Sequence, residues 1–483
     1  MKAIYLVFFF LSTLPVFSQS YAVRDIKSFG AKGDGKTNDH DAFIKAADFF
    51  NKRGGNGKLV ISKGLYKVGK QLFHQNTKDK PVYEGVDLLH FKNVANLTVE
   101  GSDKTEIKFS DGLKFGAFDP ANGAAFDHGK NYFVNVAYMA SVGMGIWLES
   151  CTDVQILNLR LNGNNPAIVL GGVYGDTGIQ IPFSGIYITN SRKVRIKKVT
   201  SSYFGQDGIM IGNEKKNPNL PDEIVLEDSW FEYNCRQGLS WIGGNDLVAT
   251  NCHFNHSGKS KHASMPGAGV DVEAEVGPIS NGRFNRCEFV NNTGCAFVAD
   301  SGPSSDCILN DCTIWGVTSW SVWITKPRFT ILNSRIYGST AHAYTADNEK
   351  DATKFINCVF EDKPYKGQEP SGNFLIEENN ARYLRFENCL MRSHKKKLVW
   401  FDQSANWKPE EKYQLINCKM EYLGDNLDEN DWIGLFRNVR LINTTVSATH
   451  PLAEKKKYWW AGTKVTLEGD KNVISIGKKL INW

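Results

Sequence analysis

The chain reads as all-β, a parallel solenoid of stacked coils, and three observations carry that reading. The first is a recurring slot for a small side chain, at positions 229, 252, 287, 312, 334, 358, 389, 418 and 444, held by Cys, Ser or Thr. Its spacing runs from 22 to 35 residues. That is one coil with occasional insertions, and self-similarity at such a period is the mark of a solenoid. The second is the short β-type run before each slot, which alternates apolar and polar residues. The third is composition: 44 glycines with few long helical patterns favour turns and strands over bundles.

In chain order, MKAIYLVFFFLSTLPVFSQS has the form of a secretory signal, with Lys2 ahead of an apolar core at 3–10 and small residues Ser18 and Ser20 near the cleavage point. The expected processed segment is 1–20. Its apolar stretch is too short to span a bilayer, and no later segment reaches 18 apolar residues, so an exported protein with no membrane span is expected. Asn38 or Asp39 then caps a helix over 40–52, with Ala42, Phe43, Ala46, Ala47 and Phe50 on one face. Gly54-Gly55-Asn56-Gly57 turns the chain into the strands KLVIS and GLYKV.

The stretch FGAKGDGKTNDHDAF is similar to the FGAxGDGxTDDTxAF opening of the pectate-lyase-like superfamily, which includes polygalacturonases, polysaccharide lyases and phage tailspikes. The resemblance implies a right-handed parallel β-helix of roughly 10–12 coils over 21–450, with this segment as its N-terminal cap. The cap reading is mechanical, because an open coil end exposes an unpaired edge. Asp34, Asp39 and Asp41 therefore go to the cap and not to catalysis. The tail, 451–483, is expected to be a distal cap or an added strand layer.

The ten cysteines point away from a disulfide framework. Six sit in the small slot that Ser229, Ser334 and Thr444 fill elsewhere, so the slot selects size and not a covalent partner. No zinc spacing is present, and a metal is not expected unless the chemistry is that of a lyase. The net charge of +5 over 483 residues, without a long basic run, argues against nucleic acid as a partner.

The chemistry-bearing stretch runs from 205 to 300. Aligning GIYIT (185), GIMIG (208), GLSWI (238), GVDVE (269), AFVAD (296) and WSVWI (320) sends the second and fourth residues inward. Ile186, Ile209, Leu239, Val270, Phe297 and Ser321 then face the core, as do Trp241 and Trp323. Tyr187, Ser240 and Asp271 face out at the third position, and Glu273 and Asp300 at the fifth. Neighbouring coils lie about 4.8 Å apart, so Glu273 and Asp300 become direct neighbours, with Asp271 about 6.6 Å from Glu273 along the strand. Crowded carboxylates raise one another's pKa, and glycoside hydrolysis needs one protonated and one ionised carboxyl. Asp271, Glu273, Asp300 and Asp207 are the candidate catalytic residues.

FGQDGI resembles the aspartate-bearing NGDDCI segment of polygalacturonases, although the GHG and RIK motifs of those enzymes do not follow in order. NCRQGLSWIGG and PGAGVDVEAE resemble NxRQGxS and PGAGIDIEP motifs of secreted bacterial β-helix proteins of carbohydrate metabolism. Arg236 and Gln237 are read as binding sugar hydroxyls or a carboxylate, or else Arg236 as pairing with Asp207. Ser240, Tyr187, Trp320 and His262 complete the candidate substrate contacts, the two aromatics as platforms and His262 as a lid contact. Three function classes follow. An exported hydrolase of polysaccharides or oligosaccharides comes first. A uronate-specific lyase, using Arg236 with Tyr187 or Tyr233 and Ca²⁺ on the acids, comes second. A non-catalytic glycan binder comes third. Glycan identity, linkage and oligomeric state are not written in the sequence.

Overall fold

The computed structural model describes residues 20–75, 81–119, 121–125, 142–171, 180–214, 220–317, 320–338, 340–424, 434–449, 460–476 and 479–480. Residues 1–19 of the segment read as a signal, all of 450–459 in the tail and part of each long insertion lie outside the described residues.

The chain winds as a right-handed parallel β-helix. One face is a column of thirteen parallel strands among the described residues, from Leu89–Lys92 and Ile146–Glu149 to Gly434–Arg437 and Trp460–Thr463. This is one more than the upper bound of the 10–12 coils expected. Another face stacks Glu288–Val290, Thr313–Gly316, Arg335–Gly338 and their successors in the same sense. Each coil contributes apolar residues to a continuous core. Ile186, Ile209, Leu239, Val270 and Phe297 lie one above another, none measurably exposed.

At the N-terminal end the helix His40–Lys52 buries the face read from its spacing: Ala42, Phe43, Ala46, Ala47 and Phe50. Asp39 does not cap the helix with its side chain. Its carboxylate instead accepts the backbone N–H groups of Lys32 (2.7 Å) and Gly33 (2.9 Å), tying down the FGAKGDG loop. Asn38 takes over at the helix start, accepting from His40 N at 3.1 Å. Asp39 is thus tied into the cap.

The slot residues turn out to be half of a two-residue device. Asn251, Arg286, Asp311, Asn333, Asn357, Asn388, Asn417 and Asn443 each precede a slot and each has φ between 49° and 56°. Asparagine tolerates this left-handed region better than other residues with a Cβ. The slot side chain then turns into the core, where Cys312, Cys358, Cys389 and Cys418 point their thiols at backbone carbonyls of the preceding coil. No disulfide joins any of the ten cysteines.

One expected register is corrected. In WSVWI it is Val322 and Ile324 that pair with Phe297 and Ala299 and go inward, both fully buried, while Trp323 pairs with Val298 and faces out. A slip of one residue exchanges the two faces of a strand. Two compact β-branched side chains fit the interior slots better than an indole. Trp323 finds an outward partner in His342, stacked at 4.2 Å.

Candidate active site

The strands Asp207–Gly212, Gln237–Thr250, Val270–Glu273 and Phe297–Ser301 lie side by side and carry the candidate residues. Ser240 pairs with Asp271, and Asp271 with Val298, in the expected third-position column. The fifth position differs from expectation. Glu273 pairs with Ser301, so Asp300 is the extra residue of a β-bulge and is not the strand partner of Glu273. The bulge swings Asp300 towards the other acids. One carboxylate oxygen from each of Asp271, Glu273 and Asp300 lies within 4.8 Å of the other two.

The three acids differ in surroundings. Asp271 is 1 % exposed, Glu273 is half-buried and Asp300 is exposed. Burial pushes the Asp271 carboxyl well above the usual carboxylate range, and the charges of Glu273 and Asp300 push it further. Burial raises Glu273 as well, helped by Glu275, an acid that the sequence reading passed over. Gln237, which is fully buried, donates its amide N–H to Asp271 Oδ2. Asp271 Oδ1 and Gln237 Oε1 are buried without a hydrogen-bond partner.

Arg236 forms the ion pair that was one of its two expected roles. Its Nε and Nη2 reach the two oxygens of Asp207 at 2.9 and 2.7 Å, and Nη2 also lies 3.4 Å from Ser240 Oγ. Asp207 is fully buried. Burial lifts its carboxyl, and the Arg236 guanidinium offsets part of that lift. The pair underlies the acidic cluster and brings one positive charge close enough to pull Asp271 and Glu273 back towards ionisation.

The remaining candidates separate. Tyr187 stands in the same column, but Trp147 covers one of its faces (5.6 Å, 28°), and His90 lies against Trp147 (4.1 Å, 2°). Trp320 packs edgewise on Trp323 at 4.7 Å. The loop 256–267 is tied to the turn Asn165–Ala167, through Ser260 on Asn165 and Lys261 on Pro166, and His262 hydrogen-bonds the backbone of Ile168. Trp147, Trp323 and His342 were missed as site residues. GIWLE at 145 carries the same run as GIMIG, so aligning it would have placed Trp147 in the column. The segment after Glu273 folds back over the fifth position. A Cβ at Gly243 would come 2.8 Å from Val276 Cγ2, so glycine there makes room for this cover.

Among known proteins, residues 184–358 match the family described as "Right handed beta helix region". A protein of Arabidopsis thaliana named "Probable polygalacturonase" is 35 % identical over 294 residues, 58 % of this chain and 55 % of the relative. The fold and these matches bear out the resemblance to the pectate-lyase-like superfamily. The chain spans about half the length of that curated relative. Among solved structures, the mannuronan C-5 epimerase AlgE4 A-module of Azotobacter vinelandii aligns with 94 % of this chain and all of its own, at 14 % identity and a TM-score of 0.39. The N-terminal fragment of bacteriophage Phi29 gene product 12 aligns with 95 % of this chain and 73 % of its own, at 13 % identity and a TM-score of 0.48. The Agl-KA catalytic domain aligns with 95 % and 68 %, at 12 % identity and a TM-score of 0.46.

Proposed function

We propose that this is an exported glycoside hydrolase in which Asp271 is the proton donor and Glu273 or Asp300 the ionised partner. The observation that carries this reading is the convergence of three carboxylates in three environments, the most buried of which is lifted furthest. Glycosidic cleavage needs a carboxylic acid to protonate the leaving oxygen and a carboxylate to attack the sugar or to activate water. Asp271, kept protonated by burial and by its acidic neighbours, meets the first need. Asp300, exposed at the bulge, meets the second without the same desolvation cost. Gln237 orients Asp271, and the Arg236–Asp207 pair limits the repulsion beneath the cluster. The name of the plant relative adds support for cleavage of a polygalacturonan-type glycan.

The test is purified mature protein on a panel of neutral and uronate polysaccharides, following reducing ends and ultraviolet absorbance together. Reducing ends without absorbance, lost in Asp271→Asn and in one of Glu273→Gln and Asp300→Asn, are expected. Absorbance from an unsaturated product would favour the second reading, a lyase. That reading has one observation behind it: the three acids present clustered hard oxygen donors, beside the partnerless Asp271 Oδ1 and Gln237 Oε1, that fit Ca²⁺. In that case Asp271, Glu273 and Asp300 would hold the ion, which would neutralise a substrate carboxylate, and a chelator would abolish activity.

A further inference from the structure

We infer that aromatic stacks close the acidic trough at both ends, so that the site takes a short oligosaccharide or a chain end and not the interior of a long polymer. The inference rests on the glycan reading of the site. The outward column reads Tyr187, Met210, Ser240, Asp271, Val298, Trp323, each paired with the next across neighbouring strands. The four middle residues are sunken, at 8, 0, 1 and 6 % exposure. The two ends are large rings that stand higher. Each end ring is stacked on a further ring from the next coil outward, Trp147 behind Tyr187 and His342 behind Trp323.

The direction of stacking decides what these rings can do. Rings that lie nearly parallel on successive coils have their faces turned along the solenoid axis, with only their edges towards solvent. A platform for a long chain lying along the axis would need rings laid flat, faces outward. Here the other face of each end ring is turned along the axis towards the sunken column, Tyr187 towards Met210 and Trp323 towards Val298, with Trp320 edge-on beside Trp323. They act as end walls. Tyr187 and Trp323 are five strand steps apart, about 24 Å at about 4.8 Å per step. Asp271 stands three steps from one wall and two from the other, so the cluster lies off centre and the two product fragments would differ in size. A terminal sugar ring pressed face-on against either wall would gain the contact that an internal ring could not.

The experiment is binding of wild type, Tyr187→Ala, Trp323→Ala and a Tyr187→Phe control to a glycan array carrying neutral and uronate series, graded from single rings to polymer. In the recognised series wild-type affinity should rise over the first few rings and then level off. Trp323→Ala should weaken the short ligands about tenfold, the scale of one aromatic contact, and move the plateau to longer chains, while Tyr187→Phe keeps the wild-type profile. Affinity that climbs steadily into the polymer, a length profile unchanged in both alanine variants, or no binding to any series would overturn the inference. Reducing-end release is followed in parallel on the same ligands. A plateau in binding without any release would sink the hydrolase reading and leave the end walls standing. A rapid viscosity loss on long polymer would do the reverse.

Discussion

Asp271 holds a carboxyl at 1 % exposure beside two other acids, an arrangement that costs stability wherever the group is ionised. Its folded pKa lies above its unfolded one, so it supports the fold at low pH and withdraws that support as pH rises through the folded value. Asp271→Asn should therefore abolish hydrolysis and raise Tm at neutral pH, with little change in acid. Thermal melts across that range check it, and a lower Tm at neutral pH would count against the buried-acid assignment. A second buried group behaves alike. Burial raises Glu378 to about 7, and its Oε2 lies 3.2 Å from Nδ1 of His342. Burial works against the His342 charge, but Glu378 outweighs it and holds the imidazole above its usual value. Glu378 supports the fold below its folded pKa, and that support is lost as pH rises through about 7, while the His342 share is lost as pH rises through its own raised value. Glu378→Gln should flatten the fall in Tm as pH rises from 4.5 to about 7, and an unaltered pH profile would exclude the pair as its source.

Within one coil, the repeating device is a left-handed residue followed by a small inward one. Its asparagines also bond to one another from coil to coil. Asn333 donates to Asn310 (2.8 Å), Asn357 to Asn333 (2.9 Å), Asn388 to Asn357 (3.2 Å) and Asn417 to Asn388 (3.3 Å). Asn357→Ala loses both the ladder and the tolerance of φ 55°, and should cost about 1–2 kcal/mol. Asn357→Gly restores the backbone freedom but not the ladder, and should cost less. Urea midpoints rank the two, and equal losses would mean that backbone conformation contributes nothing. The sequence shows the small slot and the polar or charged residue before it but not that residue's left-handed backbone, because a periodic Cys or Ser is visible as a pattern whereas a positive φ shows only in the structure. WSVWI taught the same lesson. Alternation alone permits two registers, and only the identity of the neighbours, Phe297 and Ala299, selects the one that buries Val322 and Ile324.

Across the whole molecule, the solenoid depends on closing its ends. The helix His40–Lys52 covers the first coils, with Phe43 fully buried and its ring edge-on to Tyr66 at 5.6 Å. Phe43→Asp should strip that cover, expose a strand edge and promote aggregation. Size-exclusion chromatography reads this directly, and an unchanged elution profile would mean that the helix is not the cap. The parallel coil, the capping helix and the outward placement of Asp271 and Glu273 were all legible in the sequence, because each is written in a local period of side chains along the chain. The bulge that turns Asp300 towards Asp271 and Glu273, the choice of Asp207 over substrate as the partner of Arg236, the covering segment at Val276 and the rings stacked on Tyr187 and Trp323 came only from the tertiary structure. Those features join residues from different coils, and one residue of slip or insertion, which leaves a periodic pattern almost unchanged, decides which side chains meet.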